Sequence, residues 1–138
     1  MKLDWDLIRE QLTCIEEERN VFAELPVSPK WTTQTESEFI AEMDKCRAIE
    51  SRLLGHLEIL IDSGFLAGIS IHRSADGSLH YSIHSPRLTL QGHELLAEMR
   101  SKDLWERIKT TAKNKGIELT VNAVKAIGKV ALEKILSE

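Results

Sequence analysis

No run of apolar residues in this chain approaches the roughly 20 needed to span a bilayer. The opening Met1-Lys2-Leu3-Asp4-Trp5-Asp6 carries acids where a secretory leader has an apolar stretch. Together these absences predict a cytoplasmic protein with no membrane partner. Cysteine is scarce as well. Cys14 and Cys46 stand alone, inside helical patterns and without C-x-x-C spacing, which is too few ligands to argue for zinc. They read as small buried apolar side chains rather than as a disulfide or a redox pair. A basic surplus is missing too. The formal net charge is −4, which counts against a strongly basic nucleic-acid binder. Nucleophile triads, phosphate-binding glycine loops and H-E-x-x-H are all absent, since His93-Glu94 lacks a second histidine. The expectation is therefore no catalytic residue, no metal and no cofactor.

What is present is a chain of 138 residues, long enough for one compact domain or for a small domain with a helical extension. Its charge is uneven. Residues 1–100 hold ten Lys/Arg against seventeen Asp/Glu, a balance of −7, whereas residues 101–138 hold eight against five, a balance of +3. The body is acidic and the tail mildly basic.

Apolar periodicity marks the elements. Trp5, Ile8, Leu12 and Ile15 form one stripe and predict a first helix from Asp4 to about Arg19, with Asp4 and Asp6 at the positive end of its dipole. Leu25-Pro26-Val27-Ser28-Pro29 cannot continue a helix, because each proline lacks an amide donor and restricts its predecessor; Trp31 reads as a packing anchor of that loop. Thr35, followed three residues later by Glu38, is a capping-box pattern that opens a second helix, with Phe39, Ile40 and Met43 on its buried side. Around Lys45–Ala48 the chain either turns or runs on, since no glycine or proline marks a break. Ile49, Leu53, Leu54, Leu57, Leu60 and Ile61 predict a third helix over about Ile49–Ser63, with Gly64 placed for a left-handed C-terminal cap.

Two strands should follow, about Leu66–Arg73 and Leu79–His84, with alternating Ile69 and Ile71 on one and Leu79, Tyr81 and Ile83 on the other. Asp76-Gly77 is the turn signal, and Ser85-Pro86 reads as the end of the second strand. Thr89 can cap a helix from Leu90 to Ser101. Leu104, Trp105, Ile108 and Ala112 suggest another ending near Gly116, and the last begins after Thr120. Helix, glycine stop, two-stranded wing and helix is the order of a winged helix-turn-helix. The fold class expected is mainly α with a small β-hairpin: a winged helix-turn-helix core over 1–101 and a C-terminal helical extension over 102–138.

Certain residues carry a resemblance. Leu53–Leu66 looks like the recognition-helix exit of bacterial winged-helix proteins, and Leu88-Thr89-Leu90-Gln91-Gly92-His93 resembles the motif after their wing. With the opening Met1–Arg9 and Leu104-Trp105-Glu106-Arg107-Ile108-Lys109, these pieces resemble a small, often prophage-associated bacterial family of unknown function. The resemblance implies a winged-helix fold and supplies no catalytic residues.

Under that expectation the third helix would enter a major groove of double-stranded DNA, with Arg47, Arg52 and His56 as contacts and Lys45 at the approach. On the wing, Arg73, His72 and His80 would touch phosphate or the minor groove. Arginine suits such contacts because its guanidinium is a planar, permanently charged fork. Against this, Glu50, Glu58 and Asp62 lie on the same helix and would repel phosphate if they faced it. Of the five histidines, His72, His80 and His84 could share a face of the hairpin, but a solvent-facing polar side explains them without a metal. The leading reading is a small DNA-binding or transcription-regulatory protein. The alternative is a protein-interaction adaptor on the same scaffold without nucleic acid. The apolar stripe of the last helix could pack on the body or on the same helix of a second subunit, giving a homodimer. Charge placement separates the two functions: one continuous patch of Arg47, Arg52 and Arg73 favours DNA, whereas Glu50, Glu58 and Asp62 on that surface favour the adaptor.

Overall fold

The computed structural model describes residues 1–137. The element order is α1 (Trp5–Glu16), α2 (Glu36–Asp62), β1 (Leu66–Arg73), β2 (Leu79–Leu88), α3 (Leu90–Arg100), α4 (Lys102–Asn114) and α5 (Val121–Leu136). The chain is thus mainly helical with one two-stranded antiparallel hairpin.

Each helix opens on a side-chain cap that satisfies amides the helix itself leaves without partners. The Asp4 carboxylate accepts from the amides of Asp6 and Leu7. Thr35, Thr89, Ser101 and Thr120 accept in the same way from Glu38, Gly92, Leu104 and Ala123. The first helix stops earlier than its pattern suggests, at Glu16. The turn beyond it takes Glu18 to φ 58°, and the amide of Arg19 reaches back to the Cys14 carbonyl.

Two expectations need correction. The helices expected from Thr35 and from Ile49 are one unbroken 27-residue helix, so no turn divides residues 35–63. Nothing at Lys45–Ala48 interrupts the ladder, and continuing it adds one hydrogen bond per residue fixed, without a second nucleation. The helix is about 40 Å long. Only its part from Cys46 onward is buried against the body, and residues 36–45 project from it. The second strand also runs past Ser85-Pro86 to Leu88. A register shift between Ala67 and Ile69, with Ser85 at φ 66°, absorbs the proline as a bulge, a place in a sheet where proline is tolerated.

The exit from α2 sets the direction of everything after it. Gly64 takes φ 79°, its amide bonds to the Ile61 carbonyl, and the amide of Phe65 bonds to that of Leu60, the paired bonds of a Schellman stop. The chain returns to this point after the hairpin. The Thr89 amide donates to the Phe65 carbonyl at 3.2 Å, and the Thr89 hydroxyl donates to the Gly64 carbonyl. This brings the first turn of α3 against the backbone of Phe65, where there is no room for a side chain on Gly92.

One apolar core joins all seven elements. Ile8, Leu12 and Ile15 of α1 meet Leu54, Leu57 and Leu60 of α2 and Leu95, Leu96 and Met99 of α3. Leu66, Ile69, Leu79 and Leu88 enter from the hairpin, Trp105 and Ile108 from α4, and Val124 from α5. The core therefore continues across residue 101. Cys14 and Cys46 are buried free thiols. Tyr81 lies outside the core, stacked on Phe22 with ring centroids 3.9 Å apart.

A methyl group at position 92 would meet the Phe65 carbonyl oxygen at 1.9 Å. Backbone at both ends of that contact must shift, so Gly92→Ala should cost about 2 kcal/mol in urea unfolding. An unchanged midpoint would show that the close approach of α3 to Phe65 is not part of the native packing.

Candidate nucleic-acid interface

The candidate contacts come from two elements, α2 and the hairpin, and do not form one basic surface. Lys45 and Arg47 are exposed halfway along α2. Arg52, one helical turn further, is ion-paired with Asp4. Arg73 at the end of β1 forms a two-point pair with Glu58, Nη2 to Oε1 at 2.6 Å and Nε to Oε2 at 3.2 Å. That carboxylate holds the guanidinium in its charged form, raising its pKa further. His72 and His80 oppose each other across the ladder, both exposed, and His80 Nε2 lies 3.2 Å from the Ser78 hydroxyl.

The expectation for His56 is overturned. Its side chain is fully buried. Nε2 accepts the backbone amide of Asp4 at 2.9 Å, and Nδ1 donates to the Arg52 carbonyl at 2.7 Å. Both ring nitrogens are thus engaged, which is how a buried imidazole avoids the cost of unpartnered polar atoms. No part of it is presented to a groove.

Two hollows flank this region. One, of about 620 Å³, brings Arg52 and Arg73 together with Lys2 and Glu58. The other, of about 600 Å³, holds Arg47 and His80 beside Glu50 and Asp76. Cations and acids alternate in both. A phosphate entering the first must displace Glu58 from Arg73 or approach a carboxylate directly, and Coulomb repulsion works against either.

Two polar clusters at the N-terminus were not read from the sequence. In the first, Asp4 caps α1 through its side chain, donates its own amide to His56, and pairs with Arg52. Burial pushes the Asp4 carboxyl upward, but the Leu7 amide and Arg52 outweigh it and leave the pKa below the ordinary value. In the second, Asp6 accepts from the Trp105 indole at 2.9 Å and from Lys109 Nζ at 3.0 Å, and these two bonds lower its pKa. Lys109 also lies 5.6 Å from the Trp105 ring centroid, within cation–π reach. Beside them the Trp5 indole donates to the Leu119 carbonyl at 3.0 Å. The sequence signal for this network was the joint presence of Asp4-Trp5-Asp6 and Leu104–Lys109, two of the motifs that carried the resemblance.

These features define a mainly helical protein in which polar residues at the N-terminus serve internal joints. The chain belongs to the family described as Hypothetical protein (DUF2513), which matches residues 2–118. That match spans α1 to α4 and stops before α5. An uncharacterized protein of Haemophilus influenzae is 28% identical over 137 residues, covering 99% of this chain and 100% of the relative. No solved structure matches the chain.

The Asp6 cluster gives a pH prediction. A carboxyl whose pKa is lower in the folded chain stabilises the fold fully above its unfolded value of about 3.9 and loses that contribution as pH falls through the folded value. Wild type should therefore exceed Asp6→Asn in urea midpoint at neutral pH, and the gap should close below about pH 4. A gap of constant size across that range would contradict charged hydrogen bonding at Asp6.

Proposed function

We propose that this chain is a non-enzymatic protein-contact module, an adaptor built on a winged-helix-like arrangement in which α1 and α2 form the helical base and the hairpin forms the wing. The carrying observation is the charge neutralisation of the surface that would face a duplex. Arg52 and Arg73 are paired with Asp4 and Glu58, and His56 is inside. Non-specific DNA affinity comes almost entirely from cations that replace counterions on phosphate. A cation held by a carboxylate contributes little to that exchange, and a net charge of −4 gives no long-range attraction to make up for it.

Protein contact asks for something else: exposed apolar side chains next to polar ones on an ordered scaffold. Such positions occur on the loop before α2 and along its projecting end, where Val27, Trp31 and Ile40 are exposed. No helix among the described residues is long and apolar enough to cross a membrane, so these side chains do not belong to a membrane-spanning helix.

Titration of a labelled random-sequence duplex at about 20 mM and about 150 mM salt tests the reading. The adaptor predicts no binding tighter than about 100 µM even at the lower salt. Tight binding that falls steeply with salt would overturn it and restore a DNA-binding regulatory role, with Lys45 and Arg47, which lie outside the two ion pairs, as exposed contacts beside His72 and His80.

A further inference from the structure

Two separate surfaces of the molecule are complementary, one on α2 and one on α4 and α5, elements that do not pack on each other. On the first, the segment Glu36–Asp44 of α2 holds four acids, Glu36, Glu38, Glu42 and Asp44, and no base. Ile40 on the same segment is 51% exposed, and Val27 and Trp31 of the preceding loop are 86% and 58% exposed. The Trp31 ring is held edge-on against Phe39 at 5.0 Å, so the patch is an ordered surface. On this projecting helix end Ile40 is flanked on its own face by Glu36 and Asp44, four residues to either side.

On the second, α4 and α5 enclose an open groove of about 630 Å³. Ile117, Ile127, Ala131 and Val130 line its floor, and Ile117 and Val130 are 45% and 54% exposed. Its rim carries Arg107, Lys115 and Lys134, none of which pairs with a carboxylate among the described residues. The single acid there, Glu106, is already paired with Lys109 at 3.0 Å. The groove is thus apolar below and positive above, the inverse of the projecting end of α2.

We propose that the α4–α5 groove of one molecule receives the acidic end of α2 from a second copy of this chain. Laid between the two helices, Ile40 meets the apolar floor, and Glu36 and Asp44, one turn on either side of Ile40 on the same helix face, meet the rim cations. Opposite potentials of this kind set register and partner choice. The contact is heterologous, joining different surfaces of the two copies. It closes as a symmetric pair if made twice and otherwise extends as a ring or chain. The arrangement differs from a dimer in which α5 packs on its own counterpart.

Sedimentation velocity on the full chain, from low to high micromolar concentration, tests this with two charge-reversed variants. One carries Glu36→Lys and Asp44→Lys; the other carries Arg107→Glu, Lys115→Glu and Lys134→Glu. All five positions are exposed, and circular dichroism verifies folding. Wild type should self-associate, more weakly at high salt. Each variant alone should lose at least about tenfold in association, because like charges then face each other. An equimolar mixture of the two should regain it, because the basic α2 end of one meets the acidic groove of the other.

A monomeric wild type overturns the proposal. So does undiminished association of the first variant alone, which leaves the groove intact and would indicate groove-to-groove pairing, and so does a mixture that stays dissociated. The inference rests on the protein-contact reading, yet the two fail separately. Salt-steep duplex binding removes that reading without touching self-association, whereas a monomeric wild type removes the self-association and leaves a contact with another protein open.

Discussion

Three consecutive residues, Asp4-Trp5-Asp6, fasten parts of the chain that lie far apart in sequence, and the arrangement of the helices depends on them. The Asp4 backbone amide is bound by His56 from the interior of α2 and its carboxylate by Arg52. Trp5 reaches the Leu119 carbonyl between α4 and α5, and Asp6 receives the Trp105 indole and the Lys109 ammonium of α4. Packing of apolar stripes is tolerant of rotation and sliding, since many arrangements bury similar area. Directional bonds to a buried imidazole and a buried indole are not tolerant, because each leaves a costly unpartnered group if the helix shifts. The first turn of α1 therefore fixes how α2 and α4 sit around it.

A second joint fixes the rest. The left-handed stop at Gly64 turns the chain from α2 into the hairpin, and Thr89 closes the excursion by bonding back to Gly64 and Phe65. The hairpin is held by its base, where Leu66 and Leu88 are buried as register partners, while its far end carries the exposed Asp76-Gly77 turn. The segment from Leu88 to His93, read from the sequence as a family motif, is the closing half of this joint. Gly92 serves the approach of α3 to a carbonyl, and the His93 ring lies 3.7 Å from the Glu16 carboxylate at the surface.

Much of this was legible in the sequence because the signals were local. The caps at Thr35 and Thr89, the stop at Gly64 and the strand alternation all act over a few residues. The misjudged places are those where a distant partner decides. Whether residues 45–48 turn depends on what packs against α2, and the end of β2 at Ser85-Pro86 was masked because a bulge carries a proline through a ladder. His56 illustrates the same limit. On a helical wheel it lies at the edge of the apolar stripe, between Arg52 and Leu60, and only the arrival of the Asp4 amide, 52 residues earlier, makes its burial favourable. The pairing of Arg73 with Glu58 likewise joins two elements that the sequence shows separately. The candidate contacts were chosen by residue type, and the sequence could not show that Arg52 and Arg73 already had anions.

The same pairings connect architecture to function. The Asp4 carboxylate that caps α1 also pairs with Arg52, and Glu58 pairs with Arg73, so both arginines on the face where nucleic acid would dock already have an anion. At the centre of this architecture Asp6 and Trp105 act as one joint between α1 and α4. A double-mutant cycle with Asp6→Ala and Trp105→Phe, followed by urea unfolding, measures this directly. The account predicts a coupling of about 1 kcal/mol, reduced from the full value of a charged hydrogen bond by the solvent around Asp6. Effects that simply add, to within about 0.3 kcal/mol, would contradict it.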